Sequence, residues 1–159
     1  MKKILLIEDN DDIRNNTAEI LELSNYEVIV AENGKIGVKK AIEQKPDLII
    51  CDIMMPVLDG YGVLHAIHKN VEIKNTPFIF LTAKTERIDF RKGMDLGADD
   101  YITKPFNGTE LLTAVDSRLK KIDLLKKELS PGIEGLQHLM EAALGKDSLR
   151  FLTEGRNTN

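Results

Sequence analysis

The 159-residue sequence contains a single cysteine, Cys51, which excludes an internal disulfide and a cysteine-rich zinc site. Cys51 lies inside an apolar run, which favours a buried structural residue over a reactive thiol. The sequence also lacks an apolar run long enough to cross a bilayer. The apolar run after Met1 is too short for the core of a signal peptide. We therefore expect a cytosolic protein without a membrane partner.

The sequence also has no excess of positive charge. The chain has 22 Lys and Arg residues against 26 Asp and Glu residues, and its net charge is -4. A mildly acidic chain does not attract the phosphate backbone, so direct nucleic-acid binding by this segment is not expected. A hydrophobic content of 42% favours a packed core over a disordered chain, and the length fits one domain with an appendage.

Short apolar runs alternate with helical patterns along the chain. Such an alternation predicts an α/β fold with a doubly wound, five-stranded parallel sheet. A strand order of 2-1-3-4-5, which is flavodoxin-like, would place the first and third strands side by side at the switch point. The predicted strands are Lys3–Ile7, Tyr26–Ala31, Leu48–Asp52, Pro77–Thr82 and Asp100–Thr103.

Helices are predicted in the segments between these strands. The first begins at Asp11 or Asp12, where an aspartate can cap free N–H groups. In the second, which ends before Pro46, the side chains of Val38, Ala41 and Ile42 are expected to face inward. The third carries Tyr61, Leu64 and Ile67, the fourth covers roughly Thr85–Leu96, and the fifth begins near Asn107.

Polar side chains follow four of the predicted strands where each strand ends. Glu8 and Asp9 follow the first strand, Asp52 ends the third, Thr82 ends the fourth and Lys104 follows the fifth. The carboxyl ends of parallel strands meet at one edge, so we expect these groups to converge. Each residue alone has an ordinary explanation, such as a turn acid, a surface lysine or a threonine satisfied by the backbone. Four such coincidences together are improbable.

This set of groups suits a divalent cation and a phosphoryl group. Hard oxygen ligands without a nearby histidine or cysteine favour Mg²⁺. Asp52, at the end of the most apolar strand, is the best candidate nucleophile, because aspartyl phosphates are known covalent intermediates. Lys104 and Thr82 would then bind the phosphoryl oxygens.

The sequence resembles a response-regulator receiver domain, the CheY-like phosphoacceptor of two-component signalling. The resemblance extends from Met1 to about Leu119 and predicts a receiver domain at residues 1–119. The matching motifs are Ile7-Glu8-Asp9, Asp52-Ile53-Met54-Met55-Pro56 with Asp59-Gly60, Leu81-Thr82-Ala83, Gly97-Ala98-Asp99-Asp100-Tyr101 and Lys104-Pro105-Phe106.

The resemblance implies a role for each site residue. Asp52 accepts a phosphoryl group from the phosphohistidine of a sensor histidine kinase or phosphotransfer protein. Mg²⁺ binds where Glu8, Asp9, Asp52 and the backbone carbonyl of Met54 meet. The only chemistry implied is self-phosphorylation and self-dephosphorylation of Asp52, so no enzyme activity on another substrate is expected.

The resemblance also implies a switch. Thr82 and Lys104 bind the phosphoryl group, and Tyr101 corresponds to an aromatic residue that rotates inward on activation. The Lys104–Pro105 bond is expected to be cis. The face formed by the fourth helix, fifth strand and fifth helix would then control an output domain, most plainly one for transcription, or dimerisation.

The C-terminal region, residues 120–159, is predicted to be a helical linker that leads into a truncated effector domain. An apolar pattern at Leu112, Val115, Leu119, Ile122 and Leu129 fits a short coiled coil in a phosphorylation-dependent homodimer, or a single helix lying on its own domain. Ser130-Pro131 should start another helix, and Leu149–Asn159 resembles the lead-in to a Crp/Fnr-type module.

Three alternative functions remain open from the sequence. A stand-alone phosphorelay protein would need no linker after the domain. A phosphatase with an aspartate nucleophile would need a second acid two positions after Asp52, where this chain has Met54. A flavodoxin-like cofactor binder would need a first loop that accepts phosphate, but the acidic loop from Glu8 to Asp12 would repel it.

Overall fold

The computed structural model describes residues 1–83 and 90–129 of the chain. By compactness the chain divides into two units, Met1–Ser117 and Arg118–Asn159. The domain boundary after residue 119 stays a prediction. The helix expected from Ser130, the Crp/Fnr-like segment Leu149–Asn159 and the first part of the predicted fourth helix, residues 85–89, lie outside the described residues.

Within the described residues, the strands form one parallel sheet of order β2-β1-β3-β4-β5. This order and the doubly wound α/β class confirm the sequence prediction. The strands are β1 (Lys3–Ile7), β2 (Glu27–Ala31), β3 (Leu48–Asp52), β4 (Phe78–Ala83) and β5 (Asp100–Lys104). The helices are α1 (Asp11–Leu23), α2 (Gly34–Gln44), α3 (Gly60–Lys69), α4 (Phe90–Asp95) and α5 (Gly108–Leu129).

The central strand β3 is buried along its whole length, as expected for a parallel strand covered on both faces. It lies between β1 and β4, and the register brings the carboxyl ends of the three strands level. Ile7 of β1 pairs with Cys51, and Asp52 pairs with Leu81 of β4. The residues that follow β1 and end β3 therefore lie at the same edge. Cys51 is fully buried, as the apolar run predicted.

The first three helices begin at side-chain caps. Asn10, Asn33 and Asp59 each accept a hydrogen bond from the backbone N–H three residues further on. These oxygens satisfy N–H groups that have no partner within the helix. Each cap lies in the loop that leads from the carboxyl end of a strand into the next helix, so the helices begin close to that edge of the sheet.

The inward face of α2 differs from the prediction at one residue. Ala41 is buried, but Ile42 is 45% exposed. The other buried positions of the helix are Gly34 and Gly37, so the inward stripe runs in steps of three and four and leaves out residue 42. At Gly37 a Cβ would lie only 2.7 Å from the Cγ1 atom of Ile7, so the glycine lets α2 approach β1 closely.

The predicted coiled-coil pattern on α5 is wrong at two of its positions. Val115 and Leu119 are buried in the single chain, so they are not available to a partner helix. Leu111 is buried as well, and Asp116 accepts a hydrogen bond from the Tyr26 hydroxyl group. Among the α5 side chains that the structure describes, which do not include Leu129, the large exposed apolar ones are Leu124 and Leu125. In the described part of the chain, no helix combines the length and apolarity needed to cross a membrane.

Candidate functional site

Three carboxylates meet at the carboxyl edge of the sheet. Glu8 follows β1, Asp9 comes next in the loop to α1, and Asp52 ends β3. One carboxylate oxygen from each lies within 4.8 Å of the others. Glu8 is fully buried and Asp52 is 4% exposed, whereas Asp9 is exposed to solvent. The structure thus brings together the three side chains that the sequence pattern placed at one site.

The Lys104 ammonium lies between the two buried carboxylates. Its Nζ atom is 2.5 Å from Oε1 of Glu8 and 3.3 Å from Oδ1 of Asp52. Burial by itself would lower the pKa of Lys104, but the hydrogen bond to Glu8 and the charges of Asp52 and Glu8 outweigh it, and the pKa is raised. Lys104 therefore stays charged and contributes one positive charge to the site.

One ammonium does not balance two buried carboxylates. The pKa of Asp52 is raised from 3.8 to about 8, chiefly by burial and then by its contact with Glu8. Among the described residues, Oε2 of Glu8, Oδ1 of Asp52 and Oγ1 of Thr82 are buried without a hydrogen-bond partner. Buried polar atoms normally have partners, so these three oxygens indicate that the site binds something further.

The donor set fits Mg²⁺. The available groups are carboxylate oxygens, one of them solvent-exposed, and this cation prefers oxygen ligands while keeping several waters. A divalent cation would also remove the charge imbalance that raises the Asp52 pKa. Thr82, fully buried on β4, adds a hydroxyl group at the same edge, and the register pairs it with Thr103, the residue before Lys104.

The loop after Asp52 is held tightly against the end of β3. The Gly60 N–H donates to the Ile53 carbonyl at 2.8 Å. A Cβ at residue 60 would lie 2.5 Å from the Asp52 carbonyl oxygen, so only glycine allows this approach. Val57, at the tip of the loop, has a φ of 74° and is 88% exposed. The Met54 side chain is exposed, and the role of its carbonyl as a metal ligand stays a prediction.

Tyr101 lies on β5, on the side of the sheet that α4 covers. Its ring centroid is 5.4 Å from that of Phe80, and the ring is partly buried against the core. Its hydroxyl group fills the space that a Cβ on Gly93 of α4 would need. The Lys104–Pro105 peptide bond is cis, as the resemblance implied.

An apolar groove of about 520 Å³ opens next to Lys104. One wall comes from α1 and the other from the segment around the cis bond and the end of β4. No sequence pattern marks this groove, because its walls are far apart in the chain. Its lining residues are Ile13, Asn16, Thr17, Ile20, Ala83, Lys104, Pro105 and Phe106.

Arg14 is a second feature of the site that the sequence pattern did not predict. From the first turns of α1 its guanidinium group folds back over the acidic loop, where Nη1 donates to the Glu8 carbonyl oxygen at 2.9 Å and Nη2 pairs with the Asp11 carboxylate. A lone arginine shortly after a run of acidic and amide residues was the available signal. It gave no indication of which backbone atom the side chain would contact.

Comparison with known proteins gives a consistent result. A family model described as the response regulator receiver domain matches residues 4–116. The alkaline phosphatase synthesis transcriptional regulatory protein PhoP of Bacillus subtilis is 38% identical over 153 residues, which are 96% of this chain and 61% of that protein. The probable transcriptional regulator ycf27 of Cyanidium caldarium is 41% identical over 128 residues, 80% of this chain and 50% of that protein. The chain thus spans between half and about three-fifths of these curated relatives.

Solved structures agree with the sequence comparison. A response regulator receiver domain protein of Clostridium thermocellum has a TM-score of 0.73 and 29% identity, and the match covers 79% of this chain and 99% of that one. The receiver domain of the sensor histidine kinase PA1611 of Pseudomonas aeruginosa has a TM-score of 0.70 and 31% identity, over 75% of this chain and 98% of that one. That domain was crystallised with a magnesium ion coordinated in its active-site cleft.

Proposed function

This chain belongs to the response-regulator receiver family, and from that premise we propose that Asp52 accepts a phosphoryl group from the phosphohistidine of a sensor histidine kinase or phosphotransfer protein. The phosphorus–nitrogen bond of the donor breaks as a phosphorus–oxygen bond forms to a carboxylate oxygen of Asp52, and the imidazole leaves with the electron pair. The observation that carries the proposal is the pair of buried carboxylates beside a single ammonium, together with buried oxygens of Glu8 and Thr82 that have no hydrogen-bond partner among the described residues.

Glu8, Asp9, Asp52 and the Met54 carbonyl would hold Mg²⁺ at this site. The ion would supply positive charge to the phosphoryl oxygens. It would also keep the Asp52 carboxylate ionised at pH values below the raised pKa that this group has without the metal. Glu8 and Asp9 serve as ligands and do not react. Asp52 differs from both, because it is the residue that ends the central strand β3.

Lys104 and Thr82 respond to the new charge. The Lys104 ammonium contacts both buried carboxylates, so it can move to a phosphoryl oxygen on Asp52 without leaving the site. The unpartnered Thr82 hydroxyl group can donate to another phosphoryl oxygen. The chain acts on no second substrate: it is a phosphoacceptor that undergoes its own dephosphorylation at Asp52.

Labelling with a small phosphodonor tests the central claim. With Mg²⁺ and acetyl phosphate the protein should gain one phosphoryl group, detected by intact mass and lost on treatment with alkali or hydroxylamine. Asp52→Asn should abolish the gain. Asp95→Asn, the same change at an exposed position on α4, should leave it unaltered. Full labelling of Asp52→Asn would refute the assignment.

The apolar groove beside Lys104 supports a protein phosphodonor. A mostly apolar channel that ends near the phosphoacceptor fits an amphipathic helix of a partner that carries the phosphohistidine. Ile20→Asp, on the α1 wall, should slow transfer from the phosphorylated partner and leave labelling by acetyl phosphate unchanged. Equal transfer rates from the partner in both proteins would exclude the groove as its docking surface.

Phosphorylation would act by shifting populations on the face formed by α4, β5 and α5. Inward movement of Thr82 and Lys104 changes β5, the strand that carries Tyr101. This shift would favour a homodimer of the phosphorylated chain. Because Val115 is buried, the dimer contact would be made by the exposed side of α5. Sedimentation should show association with beryllofluoride and not without it, and Leu125→Asp, at an exposed position of α5, should weaken that association. A monomer in both states would refute the dimer.

The output is proposed to be transcription. The support is that the two curated relatives named above are transcriptional regulators and that this chain spans only part of their length. The net charge of -4 argues against DNA binding by this segment itself, so that role would belong to another domain. A cytosolic location follows from the same proposal.

A further inference from the structure

Arg14 occupies an unusual position for a helix arginine. Its side chain is only 12% exposed, and the guanidinium group contacts the chain on both sides of the Asp9–Asn10 turn. Before the turn, Nη1 donates to the Glu8 carbonyl oxygen at 2.9 Å; after it, Nη2 pairs with Asp11. Arginine can make both contacts at once, because its donors form a rigid, planar fork.

The Glu8 backbone depends on these contacts. Its N–H donates to the Ala31 carbonyl at 3.0 Å, which continues the β1–β2 pairing by one residue. Its carbonyl lies beyond the end of β1, and the Arg14 guanidinium supplies the hydrogen bond there. A buried carbonyl that loses its partner costs free energy and moves to find another.

Asp9 depends on the same turn. Its side chain is exposed, so packing does not hold the carboxylate in place. The position of the Asp9 carboxylate therefore depends on the backbone of the turn. Arg14 holds that backbone directly at the Glu8 carbonyl and, beyond the turn, pairs with the side-chain carboxylate of Asp11. The side chain of Glu8 is held separately, by its burial and by Lys104.

The geometry points to Arg14 as a positioning residue of the Mg²⁺ site, one that orders the Glu8–Asp11 loop and so places the carboxylate of Asp9. This inference rests on the Mg²⁺ site of the proposed function. Arg14 does not contact the metal in this scheme and is not a ligand. It acts on the ligands through the backbone, and residues in that position commonly change metal affinity by about tenfold or more.

Charge makes the inference testable, because positioning and simple electrostatics predict opposite signs. Arg14 is a cation close to an acidic site, so removing its charge should strengthen Mg²⁺ binding if charge were its only effect. If Arg14 positions the loop, removing it should weaken binding. Arg14→Met, which keeps an apolar stem and loses the charge, separates the two explanations.

Isothermal titration of the metal-free protein with Mg²⁺ is the experiment. Arg14→Met should raise the Mg²⁺ dissociation constant about tenfold. Arg14→Lys keeps the charge but cannot bridge two acceptors as a planar fork, so its dissociation constant should lie between those of Arg14→Met and the wild type. Arg91→Met, the same substitution at an exposed position of α4, should bind Mg²⁺ like the wild type.

Each outcome has a definite meaning. Equal or tighter binding by Arg14→Met would overturn the inference, and so would wild-type affinity in Arg14→Lys. If Arg14→Met does not fold, as judged by circular dichroism, the charge-conserving Arg14→Lys decides alone. Asp9→Ala is included to test the site itself: unchanged affinity in that variant would contradict the proposed function, whereas a normal loss there with no loss in the Arg14 variants contradicts only the role of Arg14.

Discussion

The buried carboxylate of Asp52 should make the metal-free protein less stable as the pH rises. The pKa of Asp52 is about 8 in the folded protein, against 3.8 for an unperturbed aspartate. Between these values the folded state holds a proton that the unfolded state has lost. The stabilisation from protonated Asp52 is therefore complete below the unfolded pKa and is lost progressively as the pH rises through the folded one.

The size of the effect follows from the two pKa values. In this window each pH unit changes the free energy of unfolding by at most about 1.4 kcal/mol. From pH 6 to pH 8 the loss is at most about 2.5 kcal/mol, because the slope flattens as the folded pKa is reached. An asparagine side chain cannot titrate, so the free energy of unfolding of Asp52→Asn should not show this slope. Its stability relative to the wild type should therefore increase as the pH rises.

Urea denaturation followed by circular dichroism, in EDTA and at several pH values from 5.5 to about 8.5, measures the slopes. Glu19→Gln, an acid-to-amide change at an exposed position of α1, is the matched control and should keep the wild-type slope. Saturating Mg²⁺ should stabilise the wild type most at high pH, since the metal binds the ionised carboxylate. Parallel slopes for wild type and Asp52→Asn in EDTA would refute the reasoning.

Three further predictions test other parts of the molecule. Lys104→Ala should still bind Mg²⁺ and accept a phosphoryl group, but hydrogen exchange of β5 should no longer respond to beryllofluoride; a normal response would contradict the coupling role of Lys104. Val57→Asn should raise the free energy of unfolding by about 0.5–1 kcal/mol, because a β-branched residue is strained at positive φ, while Val71→Asn at a similarly exposed position should give no gain. Gly93→Ala should destabilise the fold by about 1–3 kcal/mol through a clash with the Tyr101 hydroxyl group, and Tyr101→Phe should relieve part of that loss; additive effects in the double variant would disprove the contact.

Much of the fold and the placement of the site were predictable from the sequence. Short buried strands separated by helical patterns have few stable arrangements, and in each the carboxyl ends of the strands share an edge. That rule alone was enough to bring Glu8, Asp9, Asp52 and Lys104 to one place. The roles assigned to these residues depend on the family resemblance and on the experiments above.

The errors have a common physical cause. An apolar stripe on a helix indicates that the stripe is buried, but it does not indicate which surface buries it. The pattern at Val115 was therefore as consistent with packing against a partner helix as with packing inside its own chain. Ile42 was misplaced because the buried positions of α2 include two glycines, which a count of apolar side chains passes over. The bridge made by Arg14 ends on a backbone carbonyl, and no residue pattern marks that acceptor.

The hydrogen bond between Tyr26 and Asp116 joins side chains 90 positions apart in the sequence. A ribosome adding about 5–20 residues per second needs roughly 5–20 s to make the chain between them. During that interval the nascent protein has its first strands but not the helix that carries Leu111 and Val115. Until Leu111 and Val115 have been synthesised, the apolar surface against which they are buried in the folded domain is open to solvent and to chaperones.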